Sequence, residues 1–157
     1  MSNAIAQLLE PKSVFLNICA ENTVDIITKL GNELYKSGYV KESFVDAAIA
    51  REQKMPTGLP LAGDNNAAIP HTDIEHVIKP GLAMATLQNT VNFQNMAEPE
   101  KSVPVRLVFL LALDQPKAQI EMLQEIATVL QSPEIVSNLL KAKDYNEVID
   151  ALAGGNC

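Results

Sequence analysis

Apolar residues recur along this chain with two different periods, and the changes of period divide it into elements. After a loosely patterned start at Val14-Phe15-Leu16, the residues Val24, Ile27, Leu30, Leu34 and Tyr35 share one face at helical spacing. Thr23 is the expected N-cap of that helix and Gly38 its end. A second helix is predicted from Glu42 to about Lys54, with Phe44, Ala47, Ala48 and Ala50 as its buried positions. Residues 55–66 read Met-Pro-Thr-Gly-Leu-Pro-Leu-Ala-Gly-Asp-Asn-Asn, a run dense in residues that end elements, and predict a loop. Short strands are then predicted over Ala67–Ile69, over Gly81–Leu87 after Pro80, and over Val91–Gln94 after a turn at Gln88-Asn89-Thr90. Residues Val105–Leu113 are apolar on both faces, the mark of a central strand covered on both sides.

The helical period then returns. Asp114 is the expected cap of a helix with Pro116 in its first turn and Ile120, Leu123, Ile126, Ala127 and Leu130 on one face. Ser132-Pro133 restarts a shorter helix through Ile135, Val136, Leu139 and Leu140, and Asp144 begins a last one through Val148, Ile149 and Leu152. Residues 154–157 form a tail expected to fray. Helices before, between and after strands predict an α/β layered sandwich, a mixed central β-sheet flanked by helices. No internal repeat or linker divides the chain, so residues 1–157 are expected to form one domain with its core over about 14–152.

Composition narrows the function classes. Hydrophobic residues are 47% and charged residues 20% of the chain, which excludes a disordered polypeptide, and no apolar run approaches the length of a membrane span. The net charge of −7, without a basic cluster, disfavours nucleic acid and anionic lipid as partners. The start of the chain has no basic n-region or apolar h-region, so a cytoplasmic location is expected. Cys19 and Cys157 could bridge in principle, but a pair of free thiols is the plainer reading there. Two histidines and two scattered cysteines offer no zinc spacing, and the acidic residues form no calcium loop, so no metal is expected. Phosphate-binding loops, dinucleotide fingerprints and serine-nucleophile elbows are absent too, and no cofactor is implied.

What remains is a histidine behind a proline. Pro70 has a fixed φ and no backbone donor, so it can end a strand and aim the next residue, His71. A neutral imidazole has one nitrogen lone pair with which to accept a transferred group. Arg51 falls in the last turn of the second predicted helix, where positive charge complements the helix dipole, a structural account that suffices for about half of such residues. Asp73 and Glu75 lie nearby in sequence. His76 has no proline clamp and is read as a surface residue, while the methionines at 55, 84, 96 and 122 read as gap filling or interface padding.

The segment Ala50-Arg51-Glu52-Gln53-Lys54-Met55-Pro56-Thr57-Gly58-Leu59, followed by Ala67-Ala68-Ile69-Pro70-His71, resembles the signature of IIA components of the bacterial phosphoenolpyruvate-dependent sugar phosphotransferase system, mannitol/fructose type. Within that family the loop Met55-Pro56-Thr57-Gly58 and the Gln-rich start of the helix after Asp114 look closest to the galactitol-specific branch. The resemblance extends from about Val14 to Leu152. It implies that His71 accepts a phosphoryl group from the phosphocarrier HPr and passes it to a cognate IIB, which serves a membrane-embedded IIC transporter. Arg51 is then the expected cation at the transferred group. Thr57, Thr72 and Gln119 are further candidates for phosphoryl or partner contacts. Thr57 reads equally well as a turn residue beside Pro56, and Gln119 as a solvated helix residue. Thr72 stands where family members often have glycine, and Gln119 aligns with the second histidine of mannitol-type members. Two rival readings follow: a regulatory nitrogen-type IIA protein, and a binding module on the same fold that no longer phosphorylates.

Overall fold

The apolar run beginning near Val105 is the spine of the structure, a computed structural model that describes residues 4–63 and 65–154. In chain order its elements are α1 (Ala4–Leu8), β1 (Val14–Ile18), α2 (Thr23–Lys36), α3 (Phe44–Lys54), β2 (Gly58–Leu59), β3 (Asn66–Ala68), β4 (Gly81–Gln94), β5 (Ser102–Ala112), α4 (Pro116–Leu130), α5 (Pro133–Lys141) and α6 (Tyr145–Leu152). The five strands form one mixed sheet in the order β1-β4-β5-β3-β2. β1 runs parallel to β4 and β3 parallel to β5, whereas β4–β5 and β2–β3 are antiparallel. As predicted, β5 lies centrally, and Leu107 through Ala112 are all fully buried.

Two apolar layers cover the sheet. On one face Leu82, Met84, Leu107, Phe109 and Leu111 pack against α1, α4, α5 and α6 through residues such as Ile5, Ile126, Leu139 and Val148. On the other, Ala83, Ala85, Val108, Leu110 and Ala112 meet Ile26, Ile27, Leu30 and Leu34 of α2 and Phe44 and Ala48 of α3. The second face carries small residues, so α2 and α3 lie close to it. Gly31 lets those two helices approach, since a Cβ there would come within 2.6 Å of Val45 Cγ2. Among the described residues, no helix is long and apolar enough to cross a membrane.

Several boundaries differ from the sequence expectation, each for a local reason. β1 is an edge strand paired with β4 although its alternation is poor, and its register shifts between Phe15 and Ile18. Asn22, not Thr23, caps α2 by accepting from Asp25 N–H at 2.9 Å, while the Thr23 hydroxyl donates to Asn92 O. Val24 and Tyr35 are 45% and 46% exposed, and the buried stripe runs instead through Ile26, Ile27, Leu30 and Leu34. The far end of α2 is as expected: Gly38 has φ +85° and Tyr39 N–H reaches back to Leu34 O, a Schellman closure. α3 starts at Phe44 rather than Glu42, and Ala50 faces solvent. The expected loop holds strand β2, and β3 begins one residue early, at Asn66. Gln115, not Asp114, occupies the N-cap of α4, and Ile120 is 57% exposed while Met122 points inward. Ser132 and Asp144 cap α5 and α6 as expected, accepting from Ile135 and Glu147 N–H. Met84 and Met122 fill the core, and Met55 and Met96 are exposed. The Cys19 thiol is free and exposed; Cys157 lies outside the described residues.

The two strands expected on either side of residues 88–90 are one continuous strand with a bulge. Thr86 pairs with Leu107 and Val91 with Val105, so residues 87–90 leave the β4–β5 ladder opposite the single residue Arg106, while Leu87 still pairs with Ile18 of β1. Arg106 Nε and Nη2 donate to Leu87 O at 3.0 and 2.8 Å, which satisfies a carbonyl that the ladder has abandoned. Asn17 of β1, at φ +56°, lies alongside and donates its N–H to Thr86 Oγ1 at 2.7 Å. Arg106→Met should therefore lower the unfolding free energy by about 1–3 kcal/mol, the range for losing charge-assisted hydrogen bonds to a half-buried carbonyl. Urea unfolding measures it, and a loss below about 0.5 kcal/mol would mean that the surrounding ladder holds the bulge without Arg106.

Candidate functional site

Ile69, Pro70 and His71 leave the C-terminal end of β3 where the two helical layers meet. Leu111 N–H of β5 donates to Pro70 O at 3.1 Å, so the chain stays tied to the sheet for two residues beyond the strand. The ring of His71 turns back on its own backbone, with Nδ1 2.9 Å from Ile69 O. A carbonyl only accepts, so Nδ1 carries the proton and the lone pair belongs to Nε2. His71 is 8% exposed. Burial is the main cause that lowers its pKa below 6.5, with the Arg51 charge acting the same way, while the Ile69 bond and Asp73 oppose them. The neutral ring is thereby favoured.

Arg51 comes to this place from the last turn of α3. Its Nη1 donates to Asp73 Oδ1 at 3.1 Å, and the Asp73 side chain is 68% exposed, which makes the pair easily exchanged. Arg51 Nε, in contrast, is buried and has no hydrogen-bond partner. Gln119 arrives from the first turns of α4, in the opposite helical layer, and its Oε1 is also buried without a partner. An amide can turn to present its NH₂ in place of that oxygen. Arg51, His71, Asp73, Ile74, Gln119 and Ile120 line one groove of about 480 Å³. The helix-dipole reading of Arg51 leaves its buried, unpartnered Nε unexplained, and Gln119 is no ordinary solvated helix residue. A larger depression of about 770 Å³ lies against α4 and α5, but no ring nitrogen or cation lines it.

Thr57 and Thr72 do not line the groove; both are buried. The Thr57 hydroxyl donates to Glu52 Oε1 at 2.8 Å and accepts from Ile69 N–H at 3.2 Å, and Thr57 N–H donates to Glu52 Oε2 at 2.8 Å. Neither a free hydroxyl at the groove nor a plain turn residue describes it. Glu52 stands in the signature segment without an expected role of its own, although Phe44, Ala48 and Glu52 recur at intervals of four, which places Glu52 on the buried stripe of α3. Burial drives its pKa up to about 7 against both Thr57 bonds. His76 is half-buried rather than superficial: its Nδ1 lies 2.8 Å from Ser43 Oγ and its carbonyl accepts from Lys41 N–H, fastening the turn before α3.

Comparison with known proteins gives a consistent picture. Residues 7–154 match the family described as phosphoenolpyruvate-dependent sugar phosphotransferase system, EIIA 2. The galactitol-specific EIIA component of Escherichia coli K12 is 34% identical over 116 residues, covering 74% of this chain and 76% of that protein. Among solved structures, the complex of enzyme IIAMTL with phosphorylated enzyme IIBMTL from Escherichia coli matches with TM-score 0.76 and 27% identity, over 93% of this chain and 97% of the other. The nitrogen regulatory protein IIA-Ntr from Neisseria meningitidis shares the fold, with TM-score 0.78 at 22% identity over 94% and 98% of the two chains.

The state of the His71 ring can be measured directly. Because its folded pKa is depressed, the stability gained by burying the neutral ring is complete above 6.5 and is lost as pH falls through the folded value. A ¹⁵N-edited NMR titration should find the neutral form of His71 predominant at pH 6.5, with its proton on Nδ1, and a charging midpoint below 6.5. A midpoint at or above 6.5, or a proton on Nε2, would contradict the geometry.

Proposed function

Because this chain belongs to the EIIA 2 family of the phosphoenolpyruvate-dependent sugar phosphotransferase system, we propose that His71 is its phosphoryl-carrying residue, charged by HPr and discharged to a cognate IIB protein. One observation carries the assignment. Nδ1 is committed to Ile69 O, and the groove lined by the ring also holds the unpartnered Arg51 Nε and the unpartnered amide of Gln119. A nucleophilic nitrogen beside a spare cationic donor and a spare amide suits a tetrahedral oxyanion.

In the forward step the Nε2 lone pair attacks phosphorus, and the bond from phosphorus to the donor's atom breaks with its electron pair leaving on the donor. The Nδ1 proton stays in place. The phosphorylated ring then bears positive charge, spread toward the Ile69 carbonyl that faces it, and the phosphoryl oxygens balance it. Discharge reverses these bond changes with the partner's nucleophile. Transfer of this kind places few demands on the protein beyond positioning and electrostatics, since negative charge spreads over three oxygens. Arg51 supplies donors to those oxygens, and its exposed partner Asp73 yields them readily. Gln119 adds a neutral donor where mannitol-type relatives have a histidine, so it binds without moving a proton.

Ile74 and Ile120 give the groove an apolar rim, and the exposed Ile120 offers a surface for two protein partners to occupy in turn. We assign the carrier to the cytoplasm, in a relay whose last member is a IIC transporter for galactitol or a related polyol. The galactitol-specific relative supports that substrate class, whereas the nitrogen regulatory protein supports only the shared fold. The presence of both Arg51 and His71 in one groove opposes a module that has lost phosphorylation.

Incubation with phosphoenolpyruvate, enzyme I and HPr should add one acid-labile phosphoryl group, read by intact mass at neutral and acid pH. His71→Ala should abolish it and His76→Ala retain it; labelling of the His71 variant would overturn the assignment. Arg51→Ala should melt near the parent yet accept phosphate about 10²–10³-fold more slowly, the effect of losing one donor to a charge-developing transition state. A parental single-turnover rate would return Arg51 to a helix-capping role.

A further inference from the structure

We propose that Glu52 is a positioning residue for His71, acting through Thr57 and the backbone of Ile69, and that it fixes the separation of His71 from Arg51. The proposal rests on the carrier reading of His71 given above. It starts from a cost: a carboxyl group 6% exposed, in a protein with ample surface for acids, spends both oxygens on a single residue five positions later.

The contacts form an unbroken chain to the reacting ring. Thr57 N–H and O–H both donate to the Glu52 carboxylate, so neither the backbone nor the χ1 angle of Thr57 is free to turn. With its O–H directed at Glu52, the hydroxyl has only lone pairs left to offer, and one accepts from Ile69 N–H. Ile69 then holds His71 Nδ1–H by its carbonyl, and Pro70 between them has a fixed φ. Beyond Pro70 the chain is pinned again by Leu111 N–H. The orientation of the ring is therefore set by residue 69, and residue 69 is set by the Glu52–Thr57 pair.

Glu52 also follows Arg51 directly on α3. Its bonds to Thr57 bind the end of that helix to the segment that enters β2, and β2 pairs with β3 through Gly58 and Ala68. One carboxylate thus joins the element that carries the cation to the element that carries the nucleophile. Glutamine cannot replace it. Its single oxygen satisfies one Thr57 donor, and its NH₂ group either opposes the other or forces the hydroxyl to accept twice, leaving the hydroxyl proton without a partner.

The test uses the full chain and three variants. Thr57→Val keeps the volume and removes the hydroxyl, Glu52→Gln keeps the volume and removes the second acceptor oxygen, and Thr57→Ser restores the hydroxyl alone. A thermal melt first establishes that each is folded, and the two disruptive variants are independent, so one folded protein suffices. The ¹⁵N spectrum of the His71 ring is then recorded without any partner. Folded Thr57→Val or Glu52→Gln should show a mixture of Nδ1–H and Nε2–H forms, and Thr57→Ser should return toward the single Nδ1–H form. Single-turnover transfer from phosphorylated HPr should fall by about 10- to 100-fold in Thr57→Val and recover in part in Thr57→Ser, as for a misplaced reactant. A folded Thr57→Val with the parental tautomer and a rate within about twofold of the parent would overturn the proposal. Failure of the parent itself to accept phosphate would count against the carrier reading, while the tautomer measurement would still decide the positioning role.

Discussion

The hydrogen bond from His71 Nδ1 to the carbonyl of Ile69 fixes which of two chemically similar nitrogens carries the proton and which keeps its lone pair. The backbone on either side of that carbonyl is itself hydrogen-bonded, at Ile69 N–H and Pro70 O. A histidine on a mobile loop exchanges tautomers freely. Here the accepting carbonyl sits two residues upstream, across a proline whose φ cannot change, with the backbone fastened on both sides. On the proposed carrier reading the same bond faces the charge that would develop on the ring when Nε2 takes a substituent, so one contact would serve both states.

That small construction needs a rigid base, and the sheet provides it. β5 is apolar on both faces because helices cover both, and it pairs with β3 on one side and the long β4 on the other. Extra residues in β1, β4 and β5 lie side by side near Asn17, Gln88 and Arg106, so the ladder resumes in register beyond them. The irregularity reaches the start of β3, whose pairing with β5 shifts between Asn66 and Ala67, but regular pairing has resumed at Ala67 and Ala68, and beyond them Leu111 still reaches Pro70.

How much of this was legible in the sequence follows from what each signal measures. The double-sided apolar run over 105–113, the Schellman glycine at 38 and the caps at Ser132 and Asp144 are local properties, and they were readable. The Pro70-His71 pair and Arg51 stood out because a proline fixes direction and a cation at a helix end is conspicuous. Periodicity failed where a neighbour overrode it: Val24, Tyr35 and Ile120 fit an apolar stripe but lie at its exposed margin. The turn expected at Gln88-Asn89-Thr90 is a bulge because Arg106, distant in sequence, supplies the missing donor. Glu52 is visible in the signature segment beside Arg51, but its burial is legible only from its spacing from Phe44 and Ala48, and its partner Thr57 only from the fold. The role of Thr57 was the least legible, since it depends on Ile69 being adjacent only after β2 and β3 have paired.

The groove lies on the seam between two helical layers, with Arg51 contributed by the α2–α3 side and Gln119 by the α4 side. A group that touches both is therefore mortar as well as cargo. On the carrier reading that group is held covalently, and the contacts it makes to both sides exist only while both layers are seated on the sheet, so those contacts raise the cost of detaching either one. The loaded protein should exchange its amide hydrogens more slowly in helices far from His71, although no atom of those helices meets the ligand.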